Sequence, residues 1–420
     1  MENRFMPPWP MELNYALLFG VLLVAGMLGG EAARQLRLPR IIGYVLIGFA
    51  IAPMAAALNI GPLLEAARIF VDIALGLVLF DLGRRMDLAW LKRDWTLAAS
   101  GLGESALTFG VVFATLTWLD FAPVQAGLAA AIAMATSPAV VLLVAQDTRA
   151  EGQVTERAFA LVALNSLLAS VLVTMLLATV HYEVRLDLTT AVLHPLYLFA
   201  GSLALGGLMA SLARTLARRL ERSPELHFTL VAGLVVAAVG LAQMTRLSVI
   251  LALLAFGMFS RNDERRHDLM AVDLGRASRL FYVVLFVITG ASLPLSAFGT
   301  AGWTALAFVG ARAAAKFVGV LAFAPLGGVR VRQAVALGAT LLPMSSIALL
   351  LQHDVAQLYP EFGHHLAAVL LASLAVMELA GPLAVQWGLR FAGEAAPDPG
   401  PASAPAAAKA AVAAAIGEPR

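Results

Sequence analysis

Six ionisable side chains interrupt runs of the sequence that are otherwise apolar, and they are the residues best placed to do chemistry. They are Asp72, Asp81, Glu104, Arg312, Lys316 and Glu378. A charge near the centre of a membrane helix costs on the order of 2.5 to 3.5 kcal/mol unless it is paired or faces water. Each is therefore a candidate functional residue, although we interpret Asp81 as solvated because the basic pair Arg84-Arg85 follows it closely.

Two of these residues are cations on one helix face. Arg312 and Lys316 are four residues apart, so they repel each other unless a carboxylate or water lies close by. Glu104, in the run GLGESALTF, is the deeper acid and a candidate proton-carrying group, with a buried hydrogen bond as its structural alternative. Asp72 and Glu378 are further candidate proton carriers, and Glu378 equally fits a structural ion pair with Arg312.

The elements that carry these residues are predicted to be membrane helices. Hydrophobic residues make up 60% of the 420-residue chain and charged residues 13%, against roughly 25% charged residues in soluble domains. A bilayer core of about 30 Å takes about 20 apolar residues per helix, because backbone groups in hydrocarbon must pair within the helix. The apolar runs predict an all-α membrane protein of thirteen transmembrane helices. Their centres fall near Leu22, Phe49, Gly76, Leu107, Met134, Ala169, Leu203, Val235, Ala252, Phe286, Phe317, Leu342 and Val376.

The basic residues predict the orientation of these helices. Following the spans in turn places 23 Lys and Arg residues on one side of the membrane and four on the other. By the positive-inside rule, the N-terminus lies outside and the C-terminus lies in the cytoplasm. The expected location is a bacterial-type inner (plasma) membrane. Residues 393–420 are rich in Ala and Pro and are expected to form a disordered cytoplasmic tail after a transmembrane domain of residues 1–392.

Several other functions find no support in the sequence. The chain has no Cys, and its seven His residues are scattered without ligand spacing, so no resident metal site is predicted. It also has no HExxH motif, no nucleophile beside a base and no phosphate-binding loop. We therefore expect neither an enzyme nor a cofactor. A net charge of +2 without a basic patch gives no support to nucleic-acid binding.

Six motifs follow one another along the chain: LRLPRIIGYVLIGFAIAP, LGLVLFDLGRRMDLAWLKR, AIAMATSPAVVLLVAQ, LFYVVLFVITGASLPL, ARAAAKFVGV and VALGATLLPMSSIALLL. This ordered series resembles the cation/proton antiporter-2 family of monovalent cation:proton antiporters. The motifs stand in the family's order and spacing, and the similarity runs from about Leu13 to Arg390. The resemblance implies a homodimer in the lipid bilayer that exchanges protons for Na⁺ or K⁺ by elevator-like movement of a core subdomain against a dimerisation subdomain.

The resemblance also implies two inverted repeats whose broken helices cross near the bilayer midplane. Unwound carbonyls and helix ends at such breaks can coordinate a cation. Two corresponding stretches could be the breaks, although a proline can simply kink a membrane helix and hydroxyls commonly bond across helices. The candidate ion pathway is Thr136, Ser137, Pro138, Asn165, Ser166, Arg312, Lys316, Pro343, Ser345 and Ser346. The basic residue at the Lys316 position lies close to the ion site in the family.

The sequence departs from the family where chemistry matters most. Members carry an acid pair, or an amide followed by an acid, in the sixth span, but here Asn165 and Ser166 stand in that place. Neither an amide nor a hydroxyl titrates near neutral pH. Either another acid such as Glu104 or Asp72 supplies the titrating group, or Lys316 itself exchanges the proton, or exchange has been lost. The last outcome would make the chain an uncoupled carrier, a leak pathway or a sensor.

Overall fold

The computed structural model describes residues 15–57, 68–86, 88–89, 94–185, 188–221, 223–262, 279–293, 297–344, 346–358 and 360–396. Throughout these residues the regular structure is helical, as the composition predicts. The α-helices, in chain order, are α1 Tyr15–Gln35, α2 Arg40–Ala57, α3 Arg68–Arg85, α4 Trp95–Trp118, α5 Pro123–Met134, α6 Pro138–Asp147, α7 Gln153–Arg185, α8 Leu188–Ala217, α9 Pro224–Met244, α10 Val249–Asn262, α11 Arg279–Ser292, α12 Ala297–Phe323, α13 Val331–Thr340, α14 Ser346–Leu358 and α15 Pro360–Ala392. A short 3₁₀ turn, Ala324–Gly327, follows α12.

The helices have the length and composition of membrane spans. Eight helical segments of the described residues are long and apolar enough to cross a bilayer, counting α5 and α6 together, and α2, α10 and α11 contain shorter apolar helices. Each of the thirteen predicted centres lies in a helix or in one of two helix breaks. The all-helical membrane fold is thus confirmed, while the number of crossings stays a prediction.

Glycines let pairs of helices pack with their backbones in contact. A Cβ added to Gly48 of α2 would lie 2.3 Å from the Val287 carbonyl oxygen of α11. A Cβ added to Gly257 of α10 would lie 2.1 Å from the Phe80 carbonyl oxygen of α3. Close approach through small residues is a common way for helices to associate in lipid, where burial of apolar surface between helices gains little. Small residues therefore bring α2 against α11 and α3 against α10.

Each break separates two half-helices at a proline. After α5, Ser137 caps α6 and Pro138 takes its first position, where the missing N–H is not needed. After α13, the chain is non-helical from Leu341 to Met344. The two breaks touch, because the Ser137 amide donates to the Pro343 carbonyl at 2.9 Å. The sequence expectation of two interrupted helices that meet is therefore matched by the described geometry, whereas their relation as inverted repeats stays a prediction.

The end of α15 is joined to the start of α7. The Glu394 carboxylate accepts from the amides of Val154 at 2.7 Å and Thr155 at 2.8 Å, which are orphan donors at the first turn of α7. Residues 393–396, the beginning of the predicted tail, thus belong to the described fold. The rest of that predicted tail, residues 397–420, lies outside the described residues.

Candidate functional site

A buried ion pair joins α4 to α12 beside the breaks. The Lys316 ammonium donates to Glu104 Oε1 at 2.7 Å, and both side chains are fully buried. Close packing of the two helices makes this contact possible, because a Cβ on Gly319 would lie 2.8 Å from the Glu104 Cα. Lys316 also donates to the Met134 carbonyl oxygen at 3.1 Å, at the end of α5. The ammonium therefore links the carboxylate to the negative end of a half-helix.

Neutral donors complete the surroundings of the Glu104 carboxylate. The Thr108 hydroxyl donates to Oε1 at 2.9 Å, and the Asn165 amide of α7 donates to Oε2 at 2.9 Å. The other end of that amide accepts from the Ser105 hydroxyl at 3.0 Å, which is consistent with the assigned orientation of the Asn165 side chain. Glu104 thus accepts from three donors, one of them charged, and such a carboxylate can stay ionised away from water.

Arg312 holds the two breaks together from one turn before Lys316. Its guanidinium donates at 2.8 Å to each of the carbonyls of Ala133 and Ala135, in the first break. It also donates to the carbonyls of Leu342 and, at 3.4 Å, Pro343 in the second. The planar fork of an arginine suits several acceptors at once. Arg312 therefore neutralises the carbonyl ends of α5 and of the stretch after α13, and it does not form the ion pair with Glu378 considered from the sequence.

The hydroxyls predicted to line a pathway are already bonded to protein. Thr136 donates to the Leu341 carbonyl oxygen at 3.1 Å, which is a second contact between the breaks. Ser137 accepts from the amide of Val140 at 3.4 Å as the cap of α6. Ser166 donates to the Val162 carbonyl of its own helix at 2.7 Å. In this conformation the three hydroxyls stabilise the backbone where the two breaks meet.

Some of the remaining candidates lie at the two breaks, and others lie elsewhere in the fold. Pro138 and Pro343 lie at the two breaks, as predicted. Ser345 lies outside the described residues, and of Ser346, the first residue of α14, only the backbone is described. The Asp72 carboxylate of α3 accepts a hydrogen bond from the Gln243 side chain of α9 at 3.0 Å. Helix α9 carries none of the site residues. Glu378 is buried in α15.

Three supporting residues escaped the sequence reasoning. Ser105 and Thr108 belong to the same GESALT run as Glu104, and Thr108 follows it by four residues, on one helix face. That spacing was a usable signal for a hydrogen-bonded carboxylate. Gly319 follows Lys316 by three residues and lies on the same helix face. The local sequence does not indicate which helix packs against it.

The site combines a buried carboxylate with a neighbouring ammonium and with backbone carbonyl oxygens. Carboxylate and carbonyl oxygens are the groups that bind metal cations in proteins. Half-helix ends and unwound carbonyls lie at the same place, as in membrane proteins that carry ions through interrupted helices. Together with an all-helical membrane fold, this geometry defines the class of a secondary ion transporter.

Comparison with known proteins gives the family. The family described as "Sodium/hydrogen exchanger, transmembrane" matches residues 19–385. The chain therefore belongs to the sodium/hydrogen exchanger family, a family of transporters and not of enzymes. The finer assignment to the cation/proton antiporter-2 branch stays a prediction. No curated protein matches the sequence significantly.

Solved structures share the fold. One is the sodium proton antiporter MjNhaP1 from Methanocaldococcus jannaschii at pH 8, with 18% identity and a TM-score of 0.69, over 91% of this chain and 98% of that one. An electron-microscopy structure of the same antiporter gives 19% identity and a TM-score of 0.67, over 92% of this chain and 100% of that one. At such identity the likeness establishes the architecture, and the side chains of the site must be argued from this chain itself.

Proposed function

We propose that this protein exchanges protons for a monovalent cation across a membrane, with Glu104 as the ion-binding carboxylate in place of the acid missing at Ser166. The ion pair between Glu104 and Lys316 at 2.7 Å carries the proposal. It puts a carboxylate of α4 against the α12 lysine, and Asn165 of α7 donates to that same carboxylate. The acid has thus moved to a neighbouring helix, while the lysine of the site is retained.

The proposed exchange conserves protons and charge. A dehydrated monovalent cation takes the place of the Lys316 ammonium at Glu104, and the N–H bond that breaks gives its proton to water. Lys316 is then a neutral amine, and the site again holds one positive charge beside one carboxylate. When the cation leaves on the other side, Lys316 regains a proton there. One cation is exchanged for one proton at this site.

Transport also requires the site to reach water on each side in turn. Glu104, Lys316 and Asn165 are all fully buried, so the conformation described is closed to solvent. We propose that the crossing helices move as a core subdomain against the rest of the transmembrane domain, residues 1–392, in an elevator-like motion. A homodimer in a bacterial-type inner membrane, with the C-terminus in the cytoplasm, completes the proposal.

The test is proton flux in liposomes that contain the purified protein and an internal pH dye. Pulses of Na⁺, K⁺ and Li⁺ should each be tried, because the site does not by itself select among them. We expect a saturable, cation-dependent flux that Glu104→Gln abolishes and Glu225→Gln, at an exposed residue of α9, leaves unchanged. Flux that survives Glu104→Gln in folded protein would refute the role of Glu104.

A non-exchanging relative is the second candidate, as an uncoupled carrier, a leak pathway or a sensor. One observation favours it: the three donors around Glu104 satisfy the carboxylate without any transported ion. Under this alternative the ion pair is only structural. Folded wild-type protein would then give no cation-dependent proton flux with any of the three ions.

A further inference from the structure

A second buried acid lies outside the ion pair. Glu378 of α15 is fully buried, and among the described residues neither of its carboxyl oxygens has a hydrogen-bond partner. The turn around it is apolar, with Leu374, Ala375 and Met377 also buried. A buried polar group without a partner is uncommon in native proteins, and each case asks for an explanation.

Glu378 stands next to the second break. Gly381, three residues later and on the same side of α15, packs so closely on Pro343 that an added Cβ would lie 2.9 Å from the Pro343 Cα. Further along that face, a Cβ on Gly388 would lie 2.7 Å from the Ala336 carbonyl oxygen of α13. The carboxyl group is therefore on the face of α15 that lies against the broken helix, so it is placed to respond when that helix moves.

Among the described residues, no charged or titratable group of the helices packed on α15 is a counter-ion for Glu378. Arg312 and Lys316 of α12 donate to the breaks and to Glu104. Arg332 of α13 donates to the Phe391 carbonyl oxygen at 2.9 Å. The other described groups of this kind, on α2, α6, α7, α14 and α15 itself, form no hydrogen bond or ion pair with Glu378; they are Arg40, Tyr44, Asp147, Glu156, Arg157, His353 and Arg390.

A bare carboxylate in such a place is strongly disfavoured, because burial penalises the charged form and none of the described groups on the neighbouring helices offsets it. We propose that Glu378 is a second proton-carrying carboxyl group of this transporter, protonated in the closed conformation and deprotonated when movement of the broken helix admits water. On the side where the metal ion enters, the O–H bond breaks, the proton passes to water and the carboxylate becomes hydrated. The group crosses as a carboxylate with the metal ion bound, and it regains a proton from water on the side where the metal ion leaves. No redox partner is needed.

The consequence concerns stoichiometry and rests on the proposed exchange at Glu104. That exchange moves one proton per cation. A proton carried by Glu378 in the same cycle makes two protons per cation, so that each turnover moves one net charge across the membrane. Glu104 binds the cation, and Glu378 makes transport sensitive to the membrane potential.

Infrared difference spectroscopy of the full-length protein in lipid vesicles tests the proton on Glu378 without requiring transport. We expect a carbonyl band of a buried protonated carboxyl group that shifts on exchange into D₂O and disappears as the pH is raised. The band should be absent in Glu378→Gln and retained in Glu225→Gln. A spectrum that Glu378→Gln leaves unchanged, or a band that persists over the whole pH range in which the protein is folded, would overturn the proposal.

Flux measurements test whether that proton is carried. With the membrane potential held at zero, the pH gradient that stops net flux against a fixed cation gradient should double in Glu378→Gln, because one proton per cation replaces two. If the pH gradient that stops net flux is the same in Glu378→Gln as in wild type, Glu378 does not carry a proton. If wild-type protein gives no cation-dependent flux, the proposed function fails, and the infrared titration still decides for or against a proton on Glu378.

A second variant guards against misfolding. Glu378→Met removes the unpartnered polar atoms at similar volume, so we expect it to unfold at a temperature at least as high as wild type. The pH gradient that stops net flux in Glu378→Met should match that in Glu378→Gln. A marked loss of thermal stability in Glu378→Met would show that the carboxyl group has a structural partner, and would overturn the proposal.

Discussion

The coupling energy between Glu104 and Lys316 is the prediction that follows most directly from the site. Among the described residues, Lys316 is the only charged donor to the fully buried Glu104 carboxylate, and Lys316→Met leaves it with the neutral donors Thr108 and Asn165. Removing one partner of a buried ion pair typically costs about 3–5 kcal/mol, because the other charge stays buried without compensation. Glu104→Gln should lower the free energy of unfolding by a similar amount, because it leaves the Lys316 ammonium buried without a carboxylate.

The double variant separates the ion pair from the packing. With Glu104→Gln and Lys316→Met together, no charge is left uncompensated, so the loss of stability should be smaller than that of either single variant. We expect a coupling energy on the order of 3 kcal/mol or more from the double-mutant cycle. The free energy of unfolding can be measured by titration with sodium dodecyl sulfate in mixed micelles, with Glu225→Gln as the control.

The opposite result is equally definite. If the losses of the two single variants simply add in the double variant, Glu104 and Lys316 do not compensate each other. The reasoning that makes Glu104 the partner of the α12 lysine would then be refuted, and the proposed exchange at this pair with it.

Three further predictions concern the elements that position the site. Gly319→Ala should push α4 away from α12 and reduce cation-dependent flux, whereas Gly310→Ala, on the same helix with open space around its Cβ, should not; equal flux in the two variants would refute the close approach. Arg312→Lys keeps the charge but loses the fork that spans both breaks, so the unfolding temperature should fall by several degrees, and an unchanged value would show that the carbonyls need no such donor. Glu394→Ala strips the first turn of α7 of its carboxylate acceptor and should cost about 1–2 kcal/mol in the free energy of unfolding, with Glu225→Ala as the matched control.

Much of the fold follows from local patterns. Long apolar runs separated by charged or Gly/Pro-rich connections predict membrane helices, because backbone groups in lipid must pair within each helix. Pro138 and Pro343 mark candidate breaks because neither can donate a backbone hydrogen bond, although prolines also lie inside α2, α8 and α15. The number of crossings is less well determined, because α3 carries Asp72, Asp81 and three arginines and does not reach the apolarity of the long spans.

The partners of the buried charges were beyond local reasoning. Two cations four residues apart indicate that an acceptor must be near, but not which one. Glu104 lies 212 positions from Lys316 along the chain. The Arg312 side chain, a candidate partner for Glu378 on charge alone, instead reaches the carbonyls of both breaks. Charge and hydropathy are properties of single residues, whereas an ion pair depends on which helices approach.

The sequence by itself thus predicted an all-helical membrane protein with two candidate helix breaks, two cations on one helix face and no acid at Ser166. Only the tertiary structure decided that Glu104 pairs with Lys316 and that Glu378 has no hydrogen-bond partner among the described residues. The physical reason is distance: helices in lipid are placed by contacts of small residues such as Gly319 on Glu104 and Gly381 on Pro343. Those contacts join residues far apart in the chain, and they settle which buried charges meet.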